Sequence, residues 1–166
     1  NKKFEKAYFQ RFKNIWHHGD YAEAKKSGGY IIYGRSDATL NPGGVRLGTA
    51  EIYSEVEKFK QVKESIAVGQ SWDNDIRIIL FVILNKGYDL NNDLVKKIKK
   101  QIRINASPRH VPEKIISVTD IPRTKNGKIV ELAVKNTIEG NKIKNKEALA
   151  NPEILKEYVN IKELND

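Results

Sequence analysis

Gly34-Arg35-Ser36-Asp37-Ala38-Thr39-Leu40-Asn41-Pro42-Gly43-Gly44-Val45-Arg46-Leu47-Gly48-Thr49-Ala50-Glu51 is the stretch whose reading decides the fold. A strand signal, GYIIYG over 29–34, runs into it, and a helix signal, AEIYSEVEKF over 50–59, runs out of it. Between them Arg35, Asp37, Arg46 and the glycines at 43, 44 and 48 favour turns over any continuous element. That is the composition of a hinge or of a phosphate-facing loop. Gly43 and Gly44 have access to backbone angles closed to other residues and let a ligand or a second domain come close to the main chain. A connecting turn with surface arginines has the same composition, and the residues alone leave both readings open.

Downstream, a helix over about 49–60 starts at Thr49 with Glu51 in its first turn, and Ile52, Val56 and Phe59 fall on one stripe. Val62 to Trp72 reads as a strand, Asp73-Asn74-Asp75 as a turn, and Arg77 to Leu84 as an apolar strand of the kind buried in a sheet centre, ended by Asn85-Lys86-Gly87. Asn91 or Asn92 caps a long helix to about Asn105, with Leu94, Val95, Ile98 and Ile102 inward and lysines 96, 97, 99 and 100 largely on the other side. Pro108 and Pro112 restrain the next loop, and 114–118 reads as another strand. The segment 121–128 is a turn-rich loop ending in Gly127-Lys128, followed by a helix with Val130, Ala133, Val134 and Ile138 on or near one side. It lacks the G-x-x-x-x-G-K-[ST] spacing of a P-loop. Pro152 begins a short helical segment to about Tyr158, while 140–149 and the last two residues read as loosely ordered.

Upstream, FEKAYFQRFKNI over 4–15 places aromatics at helical spacing and predicts a helix that packs against something. His17 and His18 are adjacent, but no ligand set of recognisable spacing accompanies them, and no metal site is expected. Tyr21 to Lys25, a glycine turn and Tyr30 to Tyr33 form a hairpin. The resulting fold class is α/β of the α+β type: a small mixed sheet packed with helices and preceded by a β-hairpin.

Composition bounds the partners. At 166 residues the chain can bury one core, and a formal charge of +9 allows polyanionic partners without choosing among nucleotides, CoA, nucleic acid and an anionic surface. Zero cysteines exclude a disulfide scaffold, a thiolate nucleophile and a Cys-ligated metal. The longest apolar run, 78–84, is far short of the roughly 20 residues needed to cross a bilayer. A chain that opens on Asn1 and contains no methionine is expected to be a piece of a longer protein.

Three blocks occur in an ordered series: His18-Gly19-Asp20, the junction 34–51, and Ile121-Pro122-Arg123-Thr124-Lys125-Asn126-Gly127-Lys128. Together they resemble the acyl-adenylate-forming enzymes of the AMP-dependent acyl-CoA synthetase family. Leu47 to Ile52 narrows the resemblance to the acetyl- and acetoacetyl-CoA synthetase branch. Ser107 to Pro112, Val130 to Lys135 and Asn151-Pro152-Glu153 are most similar to its acetoacetyl-CoA members.

The resemblance implies an organisation: 1–36 as the tail of a large amino-terminal adenylation domain with its hairpin, 37–139 as a mobile carboxy-terminal domain, and 140–166 as an extension packed on it or partly disordered. It also implies an activity, the ATP-dependent ligation of acetoacetate to CoA through an acyl-adenylate, with acetyl-CoA or other short-chain synthetases as the alternative. Lys128 is then the catalytic lysine of adenylation. Asp20 accepts hydrogen bonds from the ATP ribose hydroxyls, a task suited to an acceptor-only carboxylate, while Arg35 and Arg46 serve the nucleotide and its phosphates. Asp37 is the hinge, Gly43 and Gly44 face the route of the CoA thiol, and Arg109 faces the CoA phosphates.

The implied cofactors and partners are ATP with Mg²⁺ carried mainly outside these residues, CoA, acetoacetate, the missing large domain, and a lysine acetyltransferase and deacetylase acting on Lys128. The piece alone is expected to be inactive, and the parent cytoplasmic, with no membrane and no specific nucleic acid. Two departures from relatives stand out: Gly43 replaces the serine common in acetyl-CoA synthetases, and Glu131 stands where many relatives place arginine. The second favours the acetoacetyl branch. A basic nucleic-acid-binding or interaction domain remains the alternative of another class, carried by the charge and the lysines of 91–105, although no aromatic interleaving supports base stacking there.

Overall fold

The computed structural model describes residues 2–36, 38–143 and 145–166. Asp37, the expected hinge, lies outside the described residues. The helices are α1 (Lys2–Tyr8), α2 (Thr49–Val56), α3 (Asn92–Asn105) and α4 (Glu131–Ile138); the strands are β1 (Asp20–Ala24), β2 (Tyr30–Arg35), β3 (Val62–Trp72), β4 (Asp75–Leu84) and β5 (Lys114–Ser117). Strands β1 and β2 form an antiparallel hairpin of their own, while β3, β4 and β5 form one mixed sheet in that order.

The sheet is built on the β3–β4 hairpin. Asp73 and Asn74 take positive φ values of 46° and 60°, a backbone that Asp and Asn tolerate and that a two-residue turn requires. The turn fixes the register from Trp72↔Asp75 through Ile66↔Phe81 to Val62↔Leu84. Strand β5 then lies parallel to β4, from Ile79↔Lys114 to Val82↔Ser117.

Because side chains alternate across a strand, β4 supplies both layers of the core. Ile78, Leu80 and Val82 meet Ile52 and Val56 of α2 and Leu94, Ile98 and Ile102 of α3. Ile79, Phe81 and Ile83 face Val134 of α4 and the carboxy-terminal residues Tyr158 and Leu164. Burial on both faces explains the unbroken apolar run at 78–84. The cap of α3 is Asn91, whose side chain accepts from the Leu94 amide at 2.9 Å.

Three elements differ from the reading of the sequence. Helix α1 stops at Tyr8 instead of running to Ile15, since the aromatics gather on one another: Tyr8 stacks on Trp16 with ring centres 4.5 Å apart, and Asn14 turns the chain at φ 61°. Helix α2 begins after Gly48, not at a Thr49 cap, and its helical span ends at Val56. Gly48 is needed there because a Cβ would lie 2.5 Å from the Tyr33 carbonyl oxygen, so the hairpin and the helix start meet at van der Waals limits.

The third difference is the segment after α4. Eight residues of α4 are too short to cover the sheet, and 3-10 turns at Lys146–Ala148, Pro152–Tyr158 and Lys162–Leu164 complete the layer. Tyr158 is fully buried, edge-on to Phe81, and its hydroxyl donates to the Asp120 carbonyl at 2.8 Å. Burial and the negative groups Glu157 and Asp120 push its phenol well above the usual tyrosine range. The last turn is strapped to the sheet by Arg77, which is buried under the Trp72 ring and donates to Gln70 Oε1 at 2.9 Å, to the Leu164 carbonyl at 2.6 Å and to the Asp166 main-chain oxygen at 2.8 Å.

Candidate functional site

Lys128 sits on a small hairpin that leaves the sheet after β5. Arg123 and Ile129 form an antiparallel bridge, the Thr124 amide donates to the Lys128 carbonyl at 2.8 Å, and the Lys128 amide donates to Thr124 Oγ1 at 3.1 Å. Gly127, at φ 79°, makes the turn and bonds back to the Thr124 carbonyl. Arg123 braces the loop from below: its guanidinium donates to the Gly127 carbonyl at 3.3 Å and pairs with Glu64 of β3 at 2.5 Å. The Lys128 side chain itself is exposed and makes no hydrogen bond or ion pair with the described residues. A fixed backbone thus presents an unneutralised ammonium to solvent. That arrangement serves a phosphoryl group or a carboxylate arriving from outside.

Gly43, Gly44 and Arg109 come together at a different place. The Gly43 amide donates to both carboxylate oxygens of Asp75 at 2.9 Å, which holds a 3-10 turn, Pro42–Gly44, against the start of β4. Gly43 has φ 58° and ψ 30°, so this turn is built for a residue without a Cβ. The Arg109 guanidinium lies alongside, 3.5 Å from where a Gly43 Cβ would be. A cleft of about 390 Å³ opens here between Pro42, Trp72, Asp75, Arg77, Arg109 and Glu113.

The turn carrying Arg109 is locked by its neighbour. His110 is buried, with Nε2 2.8 Å from Glu51 Oε2 and Nδ1 2.8 Å from Ser107 Oγ. Neither His110 nor Asp75 was marked as a site residue by the sequence. The only available signals were the position of His110 between two prolines and that of Asp75 closing an Asp-Asn turn.

The two places lie at opposite ends of β3. Asp75 pairs with Trp72 at one end, and Glu64 holds Arg123 near the other. The eight residue steps from Glu64 to Trp72 span about 26 Å at roughly 3.3 Å each. Strand β5 runs against β3 and alongside β4, entered from Arg109 at the Asp75 end and left toward Lys128 at the other.

Asp20 and Arg35 form a third group, at the open end of the β1–β2 hairpin, where they are register partners. Asp20 Oδ1 lies 3.9 Å from Arg35 Nη1, and Asp20 Oδ2 lies 2.5 Å from His18 Nδ1. Arg35 also donates to the His18 carbonyl at 3.1 Å and covers Gly19, where a Cβ would stand 3.0 Å from the guanidinium. The His18-Gly19-Asp20 block and Arg35 are therefore one cluster. Deeper in the hairpin Tyr33 donates to Glu23 at 2.6 Å, which pushes the phenol up to about 12. Arg46 is exposed just beyond the Pro42–Gly44 turn and makes no hydrogen bond or ion pair with these groups among the described residues.

Lys96, Lys97 and Lys100 of α3 are exposed, whereas Lys99 is half-buried against the segment before β5. Lys97 pairs with Asp93 at 2.7 Å, and Lys99 donates to the Glu113 carbonyl at 2.6 Å, with burial pulling its pKa down. Among the described residues no helix is long and apolar enough to cross a membrane.

Comparison with known proteins gives these groups a context. The family described as "AMP-binding enzyme C-terminal domain" matches residues 51–128, ending on Lys128. The chain is 58% identical over 98% of its length to an acetoacetyl-coenzyme A synthetase of Rhizobium meliloti and 47% identical over 98% to an acetoacetyl-CoA synthetase of Gallus gallus, spanning about a quarter of each. It superposes on the solved acetoacetyl-CoA synthetase of Streptomyces lividans with a TM-score of 0.87 and 34% identity, covering 99% of this chain and 25% of that one. The nucleic-acid reading draws no support from these likenesses. The chain is thus similar along nearly its whole length to about a quarter of the acetoacetyl-CoA synthetases, and its residues 51–128 match the AMP-binding enzyme C-terminal domain.

Proposed function

We propose that this chain works as the carboxy-terminal part of an AMP-forming acetoacetate–CoA ligase. The observation that carries the reading is the likeness to acetoacetyl-CoA synthetases along 98% of the chain, through the hairpin and the tail as well as the matched domain. In this reading 1–36 belongs to a large adenylation domain, 37–139 is a mobile domain, and 140–166 is an extension packed on it. The parent is cytoplasmic.

The first step joins the acetoacetate carboxylate to the α-phosphorus of ATP and expels pyrophosphate. Negative charge gathers on the phosphoryl oxygens while an anion approaches them, and the exposed Lys128 ammonium stabilises both at once. Arg46 assists at the phosphates. Asp20 accepts from the ribose hydroxyls, with His18 and Arg35 fixing the orientation of its carboxylate. Mg²⁺ would arrive on the ATP phosphates and share this charge stabilisation.

The second step, attack of the CoA thiol on the acyl-adenylate with loss of AMP, uses the other end of the sheet. Gly43 and Gly44 leave room for the thiol and Arg109 meets the CoA phosphates. Since these groups lie about 26 Å of β3 away from the Lys128 loop, one active site receives both only if the domain turns, and Asp37 is the proposed pivot. Acetylation of Lys128 by an acetyltransferase would remove its charge and silence the first step, and a deacetylase would restore it.

The test is turnover by the full-length protein with ATP, Mg²⁺, CoA and a panel of short carboxylates. Preferential release of AMP and acetoacetyl-CoA from acetoacetate is the expected result, and equal or better use of acetate overturns the substrate assignment. The 166-residue chain alone should release no AMP.

A further inference from the structure

We infer that Asn151 and its neighbours Leu149 and Ala150 are positioning residues for Lys128, acting through the hairpin that carries it. The inference rests on the adenylation role proposed for Lys128. It goes beyond that role by assigning the lysine's placement to a segment outside the matched domain, which ends at residue 128.

The lysine hairpin closes on itself through Arg123 and Ile129, which leaves the outer edge of 123–125 open. The carboxy-terminal segment fills that edge as a third strand. Leu149 bridges Thr124 in antiparallel sense, the Lys125 amide donates to the Ala148 carbonyl at 3.3 Å, and the Ala150 amide donates to the Arg123 carbonyl at 2.8 Å. Asn151 then completes the contact with its side chain. Its Oδ1 accepts from the Arg123 amide at 2.9 Å, and its Nδ2 donates to Asp120 Oδ2 at 2.7 Å and to the Ile121 carbonyl at 3.0 Å. Both donor positions of the amide and one acceptor position are therefore spent on residues 120–123.

Arg123 is the strut through which this grip reaches the lysine. Its amide and carbonyl are held by 150–151, while its guanidinium holds Glu64 of β3 and the Gly127 carbonyl beside Lys128. An exposed lysine on a short turn has no packing of its own to place it. Catalytic groups misplaced by about 1 Å lose large factors in rate, so whatever fixes the hairpin fixes the reaction. Leu149 is buried against Ala133 and Leu155, which roots the third strand in the core rather than in solvent.

Two variants test this. Asn151→Ala removes the side-chain grip. Ala150→Pro removes the amide donated to Arg123; Ala150 is exposed, and Leu149 already holds the extended backbone that must precede proline, at φ −75° and ψ 143°. In the 166-residue chain, amide hydrogen exchange at Arg123, Thr124 and Lys128 should speed up about tenfold in each variant while β3–β4 amides keep their wild-type rates. In the full-length enzyme, acyl-adenylate formation should slow about tenfold through kcat, while thioester formation from supplied acyl-adenylate stays within about twofold. Loss of both half-reactions in parallel, or unchanged exchange in the lysine hairpin, overturns the inference. If the wild-type enzyme makes no acyl-adenylate, the parent reading falls, and exchange alone then decides whether 149–151 brace the hairpin.

Discussion

At the Asp75 end of β3 the candidate ligand-facing group is main chain, and at the Glu64 end it is a single side chain. The first end is over-tied: Asp75 holds Gly43 with two bonds, His110 locks the Arg109 turn to α2, and Arg77 lies buried under Trp72. The second end ties down the backbone of 120–129 and leaves Lys128 itself without a partner among the described residues. The difference follows from the chemistry proposed for each. A thiol's path needs absent side chains and a rigid wall, whereas a phosphoryl transition state needs a cation whose charge no protein carboxylate has already neutralised. Substitutions at the two ends should therefore fail in opposite ways.

The largest expected effect comes from Lys128→Ala. Losing a transition-state charge partner should raise the adenylation barrier by about 3 kcal/mol or more. Thioester formation from supplied acyl-adenylate should be much less affected. Because the side chain is exposed and has no partner among the described residues, the melting temperature of the chain should stay at the wild-type value. Pyrophosphate release in single turnover, beside calorimetry, reads both quantities. Equal slowing of the half-reactions would merge the two ends and break the comparison.

Gly43→Val should invert that pattern at smaller scale. A β-branched residue at φ 58° is strained, and left-handed backbone costs an L-residue about 1–2 kcal/mol. The new side chain would also meet the Arg109 guanidinium. We expect a lower melting temperature together with a thioester step slowed more than adenylation. A variant that melts earlier but keeps both half-reactions in their wild-type ratio would make Gly43 a fold residue only.

How much of this contrast was legible beforehand depended on sequence distance. The apolar run 78–84, the turn read at 73–75 and the cap read at Asn91 or Asn92 are local signals, and each marked its element, with Asp75 opening β4 instead of closing the turn and Asn91 serving as the cap. The aromatic spacing of 4–15 misled because periodicity cannot tell a stripe that faces a core from rings that collapse on each other. Thr49 looked like a cap because propensity is blind to the Tyr33 carbonyl that demands Gly48. Asp20 and Arg35 met because the hairpin pairs them. By contrast, Asp75 is 32 residues from Gly43, Glu51 is 59 from His110, and the Asp166 oxygen is 89 from Arg77, so no pattern within a helix or strand could have joined them.

The smallest expected effect is a control at neither end. Glu55 of α2 is buried and accepts from Lys58 at 2.6 Å, from Gln101 at 2.9 Å and from Asn105 at 3.2 Å, clasping α2 to α3. The Lys58 hydrogen bond, aided by Gln101 and Asn105, holds its carboxyl below the ordinary glutamate value, against the opposing pull of burial. A depressed folded pKa means that the unfolded chain binds the proton more readily. The clasp's contribution is thus fully present above the unfolded value of about 4.3 and is lost as pH falls through the lower folded value. Glu55→Gln keeps an acceptor but not the charge, and should cost about 1 kcal/mol at pH 7. The gap between variant and wild type should narrow below about pH 4 in denaturant melts across pH 3–7. Both half-reactions should keep their wild-type ratio in the full-length enzyme at pH 7, since Glu55 touches neither Gly43 nor the Lys128 hairpin. A shift of that ratio by Glu55→Gln would mean that the two ends communicate through the α2–α3 layer rather than acting as separate faces of one rigid sheet.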